Sequence, residues 1–149
     1  MTGKLITKPT VRDVLPISGK YWFEPDQVVY SKIRPYLAKA ALMQTDGYCS
    51  ADMYPLRCKS TLRSPYLLAL LLSKAFTDYA TAESVRASMP KLNRTALFKY
   101  EFPVPPVDLQ VAFTEKFVAV QSIQTQQSTA TTVAEATFNA LLAQVFAPV

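Results

Sequence analysis

The chain has 149 residues, of which half are hydrophobic, and it carries 16 lysines and arginines against 11 aspartates and glutamates. This size and apolar fraction are typical of one globular domain with a buried core, and they exclude an intrinsically disordered chain. The longest apolar run, YLLALLL at 66–72, is too short to cross a bilayer, and the start lacks the features of a signal peptide. We therefore expect a cytoplasmic protein with no membrane partner.

The sequence is poor in metal ligands. It has no histidine and only two cysteines, Cys49 and Cys58, which do not form a CxxC pair. Because a zinc site without histidine needs about four thiolates, we expect no bound metal. The two cysteines are predicted to be buried free thiols of a reducing compartment.

The charge is unevenly distributed along the chain. Residues 1–99 contain 15 basic and 7 acidic side chains, a net charge of +8, whereas residues 100–149 contain 1 and 4, a net charge of −3. A basic surface of this kind suits a polyanion such as nucleic acid, and the acidic end is left for protein contacts. An ordinary solvated surface is the alternative.

The first strand candidates alternate with turn signals. Within the run YSKIRPY (30–36), alternate residues of a strand share one face, so Lys32 and Arg34 are expected to point the same way. Two cations on one face need an anion or open water. The predicted strands are 20–24, 27–33, 37–43 and 51–58.

Helix signals begin at Ser64, which is read as an N-cap followed by Pro65 at the first helical position. This predicts one apolar helix that ends at about Tyr79. The segment 80–93 is predicted to be a loop, and Thr95 to Leu97 a short helical stretch.

A long helix is predicted after the proline-rich FPVPP at 102–106. Apolar or small residues recur at helical spacing, Asp108 near the start suits the helix dipole, and 40 residues would extend about 60 Å. The polar middle, QTQQSTATT, is a place where this helix could break, but no Gly or Pro occurs between 107 and 147. Part of the apolar stripe is expected to pair with another helix as a coiled coil. The predicted interface residues are Phe117, Val120, Phe138, Leu141 and Val145.

Five ordered segments resemble the specificity subunits of Type I restriction-modification systems. They are QVVYSKIRPYLAKAAL, DGYCSADMYPLR, PYLLALLLSKAF, ASMPKLNRTAL and FPVPPVDLQ. The resemblance extends over roughly residues 15 to 149. An ordered series of five segments is more specific than any one of them.

The resemblance implies an α+β fold in which a small, mixed, β-rich target recognition domain is followed by a long coiled-coil helix. It assigns residues 1–103 to a partial recognition domain and 104–149 to a helix for dimerisation and subunit docking. Such subunits usually contain two domain-plus-helix copies, and here there is one. The family's usual opening stretch, with a Trp and a Leu-Gly pair, has no counterpart before Val11.

The implied function is that of a specificity subunit, or half subunit, that binds double-stranded DNA and positions the modification subunit and, indirectly, the restriction subunit. Pairing with a second copy or another half subunit is expected. The alternative is a truncated scaffold or decoy that binds modification subunits through its helix without reading DNA.

The candidate DNA-binding side chains are cations. Phosphate contacts position a protein without specifying a sequence, so a segment shared by subunits of different specificity is better suited to phosphates or scaffold than to bases. For residues 30–36, the alternatives are a purely structural role with solvated charges, and base reading. Base contacts are expected instead from residues 19–22 or 57–63. The predicted phosphate contacts are Lys32, Arg34, Lys39, Arg86, Lys91 and Arg94.

Catalysis is not expected, and neither is a cofactor. A methyltransferase needs a glycine-rich cofactor loop and an Asn/Asp-Pro-Pro-aromatic motif, and the chain has three glycines and no such motif. A nuclease would require a carboxylate cluster around magnesium, for which the candidates are Glu24, Asp26, Asp46 and Asp52. No carboxylate pair is followed by a lysine at nuclease-like spacing.

Overall fold

The structure is a computed structural model that describes residues 19–84 and 89–146. Its small sheets followed by a long helix confirm the predicted α+β class. The elements are β1 (Lys20–Phe23), β2 (Val28–Ser31), a 3-10 helix (Pro35–Leu37), β3 (Ala40–Leu42), β4 (Gly47–Ser50), β5 (Met53–Leu56), α1 (Ser64–Leu72), α2 (Lys74–Ala82), α3 (Arg94–Lys99) and α4 (Val107–Phe146).

The five strands form two antiparallel sheets. The larger sheet has the order β3-β2-β5, and all four residues of β2 are buried because this strand lies in the centre. Pro55 lies opposite Val29 on β5, which is an edge strand, where a residue without an N–H group is tolerated. The smaller sheet is a ribbon of β1 and β4.

Strand β4 was not among the predicted strands. It pairs with β1 so that Gly47 lies opposite Phe23. A Cβ atom at residue 47 would lie 2.7 Å from the tip of the Phe23 ring, so a larger residue there would force the ring to move. The glycine that weakens the local strand pattern thus also leaves room for this ring.

Strand β2 is shorter than predicted, and one inference drawn from it is wrong. The strand ends at Ser31, and Arg34 adopts a left-handed conformation with φ of 49° before Pro35 opens the 3-10 helix. Because Lys32 and Arg34 lie beyond the strand, alternation does not place them on one strand face.

The single helix predicted from Ser64 to Tyr79 is instead two helices. Ser73 has an extended backbone, ends α1 and caps α2, where its side chain accepts a hydrogen bond from the Phe76 N–H at 3.2 Å. Helix α1 begins at Ser64 itself, one residue before the predicted start. Serine is compatible with a helix interior and with an N-cap, so the sequence alone did not mark this break.

The core lies between the larger sheet and the helices that cover it. Helix α1 packs against β2 and β3, and α2 packs against α1 and the 3-10 helix. The buried rings of Tyr30 and Phe76 meet edge to face, with centroids 5.5 Å apart. A second buried group, around Val29, Ala41 and Met43, includes the Cys49 side chain.

Both cysteines are free thiols. Cys49 is buried, as predicted, whereas Cys58 is only half-buried. Burial raises the pKa of each thiol, which favours the protonated form. These thiols are therefore poor nucleophiles at neutral pH.

Helix α4 begins with a buried polar anchor. The Gln110 side chain is fully buried, and its Oε1 accepts a hydrogen bond from the Arg63 N–H at 2.8 Å. Its Nε2 donates to the carbonyls of Thr61, at 3.0 Å, and Pro105, at 2.7 Å. The amide thus joins the first turn of α4 to the segment that precedes α1.

The described residues fall into two units, one ending at Ala112 and the other starting at Phe113. In the second unit, α4 runs without interruption through the polar middle, where a break was considered. Threonine hydroxyls there donate to the carbonyls four residues earlier, as Thr129 does to Thr125 at 3.0 Å and Thr132 to Ser128 at 3.0 Å. No helix among the described residues has the length and apolarity needed to span a membrane.

Candidate nucleic-acid interface

Backbone hydrogen bonds join two basic segments that are distant in sequence. The Arg34 N–H donates to the Pro90 carbonyl at 2.8 Å, and the Leu92 N–H donates to the Lys32 carbonyl at 2.8 Å. Ile33 and Lys91 form an antiparallel bridge between these bonds. The segment that follows β2 is therefore paired with the segment that precedes α3.

A carboxylate lies between the two lysines that this pairing brings together. Asp52 Oδ1 is 2.8 Å from Lys91 Nζ and 4.0 Å from Lys32 Nζ. We call these three residues the Asp52 cluster. The hydrogen bond from Lys91 lowers the pKa of the Asp52 carboxyl and raises the pKa of the Lys91 ammonium, so this pair is charged at neutral pH.

Lys32 is the least accessible member of the Asp52 cluster. Its side chain is 13 % exposed, and its Nζ lies 5.1 Å from the centroid of the Tyr54 ring. The Tyr54 hydroxyl donates to the Leu92 carbonyl at 3.3 Å, and burial raises the pKa of its phenol. Lys32 is thus held by a carboxylate and an aromatic face, and the anion that its charge was expected to need comes from within the chain.

Arg94 opens α3 beside this cluster. Asn93 caps the helix by accepting a hydrogen bond from the Ala96 N–H at 2.8 Å. The Arg94 guanidinium is 5.6 Å from the centroid of the exposed Phe98 ring. The positive charges of Lys91 and Arg94 both oppose the rise in the pKa of Tyr54 that burial causes.

The other predicted phosphate contacts are not all grouped here. Arg34 is exposed and is joined to the 90–92 segment through its backbone. Lys39 is exposed, but its carbonyl accepts from the Ser31 N–H on the β3 side of β2, whereas Asp52 and Tyr54 lie on the β5 side. Arg86 lies outside the described residues.

Exposed aromatic side chains lie on the ribbon of β1 and β4, and those of β1 fall within the predicted base-contact segment 19–22. Trp22 and Tyr48 are cross-strand partners, 46 % and 59 % exposed, and their rings meet edge to face with centroids 5.0 Å apart. Tyr48 was missed because the sequence did not predict β4. Recognising GYCS as the partner of KYWF would have found it.

The second predicted base-contact segment, 57–63, has partners within the fold. The Arg57 guanidinium forms an ion pair with the Glu24 carboxylate, and the Arg63 N–H is bonded to Gln110.

The four carboxylates considered for magnesium do not form a cluster. Among residues 19–84 and 89–146, no group of three or more His, Cys, Asp or Glu side chains is placed to hold a metal ion.

The predicted interface residues of α4 differ in exposure. Phe117 is half-buried and stacks on Phe113 with ring centroids 5.8 Å apart. The other four are between 52 % and 73 % exposed, namely Val120, Phe138, Leu141 and Val145. Leu142 and Phe146 add to the exposed apolar surface near the end of the helix.

Comparison with known proteins gave one informative match. No protein-family model matches the chain. Over 109 residues, 73 % of its length, the chain is 38 % identical to the Type I restriction enzyme EcoDI specificity subunit of Escherichia coli. The matched part is 24 % of that relative, so the chain spans about a quarter of the curated relative's length.

Proposed function

Because the chain belongs to the family of Type I restriction specificity subunits, we propose that it binds double-stranded DNA and contributes to sequence recognition in a restriction-modification system. The similarity to the Escherichia coli specificity subunit is the observation that carries this proposal. It extends over 109 residues and assigns a role to none of them individually, so the roles of single residues need support from their geometry.

We assign backbone contact to the exposed cations. Arg34, Lys91 and Arg94 belong to two paired segments and have accessible charged ends. Cations that neutralise phosphates release counterions, which provides most of the sequence-independent affinity for DNA. Lys32 contributes less, because it is largely buried against Tyr54 and Asp52.

We assign base contact to the ribbon of β1 and β4. A two-stranded ribbon is narrow enough to enter the major groove, where the base edges differ for each base pair. The exposed rings of Tyr21, Trp22 and Tyr48 are accessible for such contacts. Aromatic side chains on a rigid ribbon would also lose little conformational entropy on binding.

We assign partner binding to α4. The division of roles between residues 1–103 and 104–149 is part of this proposal. The apolar side chains of the helix are exposed, and covering them with a modification subunit, a second copy or another half subunit would remove that surface from water. The restriction subunit would be reached indirectly, through the modification subunit. The chain itself supplies recognition and no catalytic step.

The test is a fluorescence anisotropy titration of a random-sequence duplex across a salt series. We expect affinity to fall steeply as salt rises from about 50 to 200 mM, because phosphate contacts are screened and counterions rebind. The variant Arg34→Ala with Arg94→Ala should bind more weakly and with a shallower salt slope. Lys74→Ala, which removes an exposed cation from α2, is the matched control.

The alternative function, a scaffold or decoy that does not read DNA, is the other outcome of this titration. The Asp52 cluster is the observation that favours it, since one carboxylate neutralises part of the basic surface. A scaffold would retain the modification subunit in a pull-down but would bind no duplex at any salt concentration. In that case the basic segments would serve the fold alone.

A further inference from the structure

Asp52 is an acidic group within a surface that we assign to phosphate binding. Its side chain is 45 % exposed, and Lys91, its partner at 2.8 Å, is 48 % exposed. The ion pair is therefore accessible from solvent. A phosphate that approached Lys91 would also approach the Asp52 carboxylate.

The carboxylate is not the only link between the two segments. The backbone bonds between Arg34 and Pro90 and between Leu92 and Lys32 already join them. The Asp52 backbone is fixed separately, because its carbonyl accepts from the Lys32 N–H at 3.0 Å and its N–H donates to Ser50 Oγ at 3.2 Å. What the Asp52 side chain adds at this position is a negative charge beside two lysines.

We propose that Asp52 is an intramolecular competitor of DNA phosphates for Lys91 and Lys32, and that it limits sequence-independent binding. This inference rests on the proposed function and deepens it. With Asp52 ionised, the Asp52 cluster carries one net positive charge instead of two, and the carboxylate repels any phosphate placed on Lys91. Fewer counterions are then released, and random DNA is held less tightly.

The competition favours discrimination between DNA sequences. A correct site offers base contacts that compensate for the repulsion, whereas a random site offers only its phosphates. Because random sites far outnumber correct ones, weakening the phosphate term increases the useful ratio of specific to non-specific binding. Asp52 would therefore be a specificity-determining residue that makes no contact with a base.

The first experiment compares Asp52→Asn with the unaltered chain on a random duplex. Asparagine keeps the size of the side chain and removes the charge. We expect tighter binding at low salt and a slope of log affinity against log salt that is steeper by about 0.9, which is roughly a threefold larger loss over a fourfold rise in salt. Asp46→Asn removes the same charge from the turn between β3 and β4 and should change the slope less.

The second experiment tests the pairing directly. Lys91→Gln is measured in the unaltered chain and in the Asp52→Asn background. If Asp52 competes for Lys91, removing the lysine should weaken binding more when the carboxylate is absent. Thermal unfolding of each variant verifies that the fold is kept.

The outcomes separate the two proposals. If the unaltered chain binds duplex and Asp52→Asn behaves as Asp46→Asn does, the role of Asp52 is overturned and the proposed function stands. Equal effects of Lys91→Gln in both backgrounds would also overturn it. If neither the unaltered chain nor Asp52→Asn binds duplex at any salt concentration, both proposals fail. Duplex binding that appears only in Asp52→Asn would support the competition strongly.

Discussion

At the scale of single residues, Tyr30 combines good packing with a polar atom that lacks a partner. Its side chain is 1 % exposed and its ring packs on Phe76. Among the described residues, the Tyr30 hydroxyl has no hydrogen-bond partner. A buried hydroxyl without a partner loses its bonds to water and gains none in return.

The change Tyr30→Phe is expected to stabilise the protein. It keeps the ring contact with Phe76 and removes the hydroxyl, so the free energy of unfolding should rise by about 1 kcal/mol. Urea denaturation at neutral pH measures this. The matched control is Tyr54→Phe, which removes a hydroxyl that donates to the Leu92 carbonyl and should lower the stability. A clear loss of stability in Tyr30→Phe would contradict the prediction.

The buried phenol of Tyr30 predicts that the stability of the protein falls at alkaline pH. Burial raises the pKa of Tyr30 from 10.0 to about 12. The pKa of this phenol is higher in the folded than in the unfolded protein, so the folded state holds its proton more tightly. Stability is therefore unaffected by this group below pH 10 and falls as the pH rises towards 12. The melting temperature of the unaltered chain should therefore fall more than that of Tyr30→Phe over this interval. Parallel curves for the two proteins would argue against it.

The candidate phosphate contacts can be ranked by their surroundings. Arg34 is exposed, whereas Lys32 is packed on Tyr54 and lies near Asp52. We expect Arg34→Ala to flatten the salt slope of duplex binding by about 0.9, and Lys32→Ala to change it much less. Anisotropy titrations of the two variants make the comparison. The ranking would be wrong if Lys32→Ala had the larger effect.

At the scale of elements, the start of α4 depends on a buried amide. Gln110 satisfies the Arg63 N–H group and the carbonyls of Thr61 and Pro105. Glutamine has the donors and the acceptor that this site needs, and no hydrophobic residue can replace them. This is a polar anchor in a position where helical periodicity alone would favour an apolar side chain.

We expect Gln110→Leu to destabilise the first unit by about 1 to 3 kcal/mol, because three hydrogen bonds made by one buried amide are lost together. Denaturant unfolding measures the loss. Gln127→Leu, at an exposed position of the same helix, is the control and should be nearly neutral. Similar midpoints for the two variants would show that the Gln110 bonds contribute little.

At the scale of the whole molecule, the exposed apolar end of α4 predicts association. Burying a side chain such as Phe138 or Leu141 contributes roughly 1.5 to 3 kcal/mol before the cost of ordering. We therefore expect the chain to self-associate at micromolar concentrations, or to bind the modification subunit, and Phe138→Ser with Leu141→Ser to abolish this. Sedimentation equilibrium and a pull-down with the modification subunit test the two partners.

The control for that experiment lies in the polar middle of the same helix. Gln127→Ser and Thr131→Ser alter exposed polar positions and should leave association unchanged. A chain that remains monomeric, retains no modification subunit and is unaffected by Phe138→Ser would contradict the assignment of this surface. Equal loss of association in the control would indicate a general loss of helix instead.

The sequence by itself determined the features that depend on local pattern. Four of the five strands were located because apolar runs alternate with turn residues, and α4 was located because forty residues lack Gly and Pro. The five ordered segments were sufficient for the family, which the comparison confirmed. In each case neighbouring residues carry the information, through backbone preference and periodicity.

The tertiary structure decided whatever depends on residues that are distant in sequence. Strand β4 pairs with β1 and places Gly47 against the Phe23 ring, and Ser73 ends α1 and caps α2. The partner of Lys91 also depends on residues that are distant in sequence. Asp52 meets Lys91 only because the segments after β2 and before α3 pair through their backbones, and no local pattern in either segment specifies its partner.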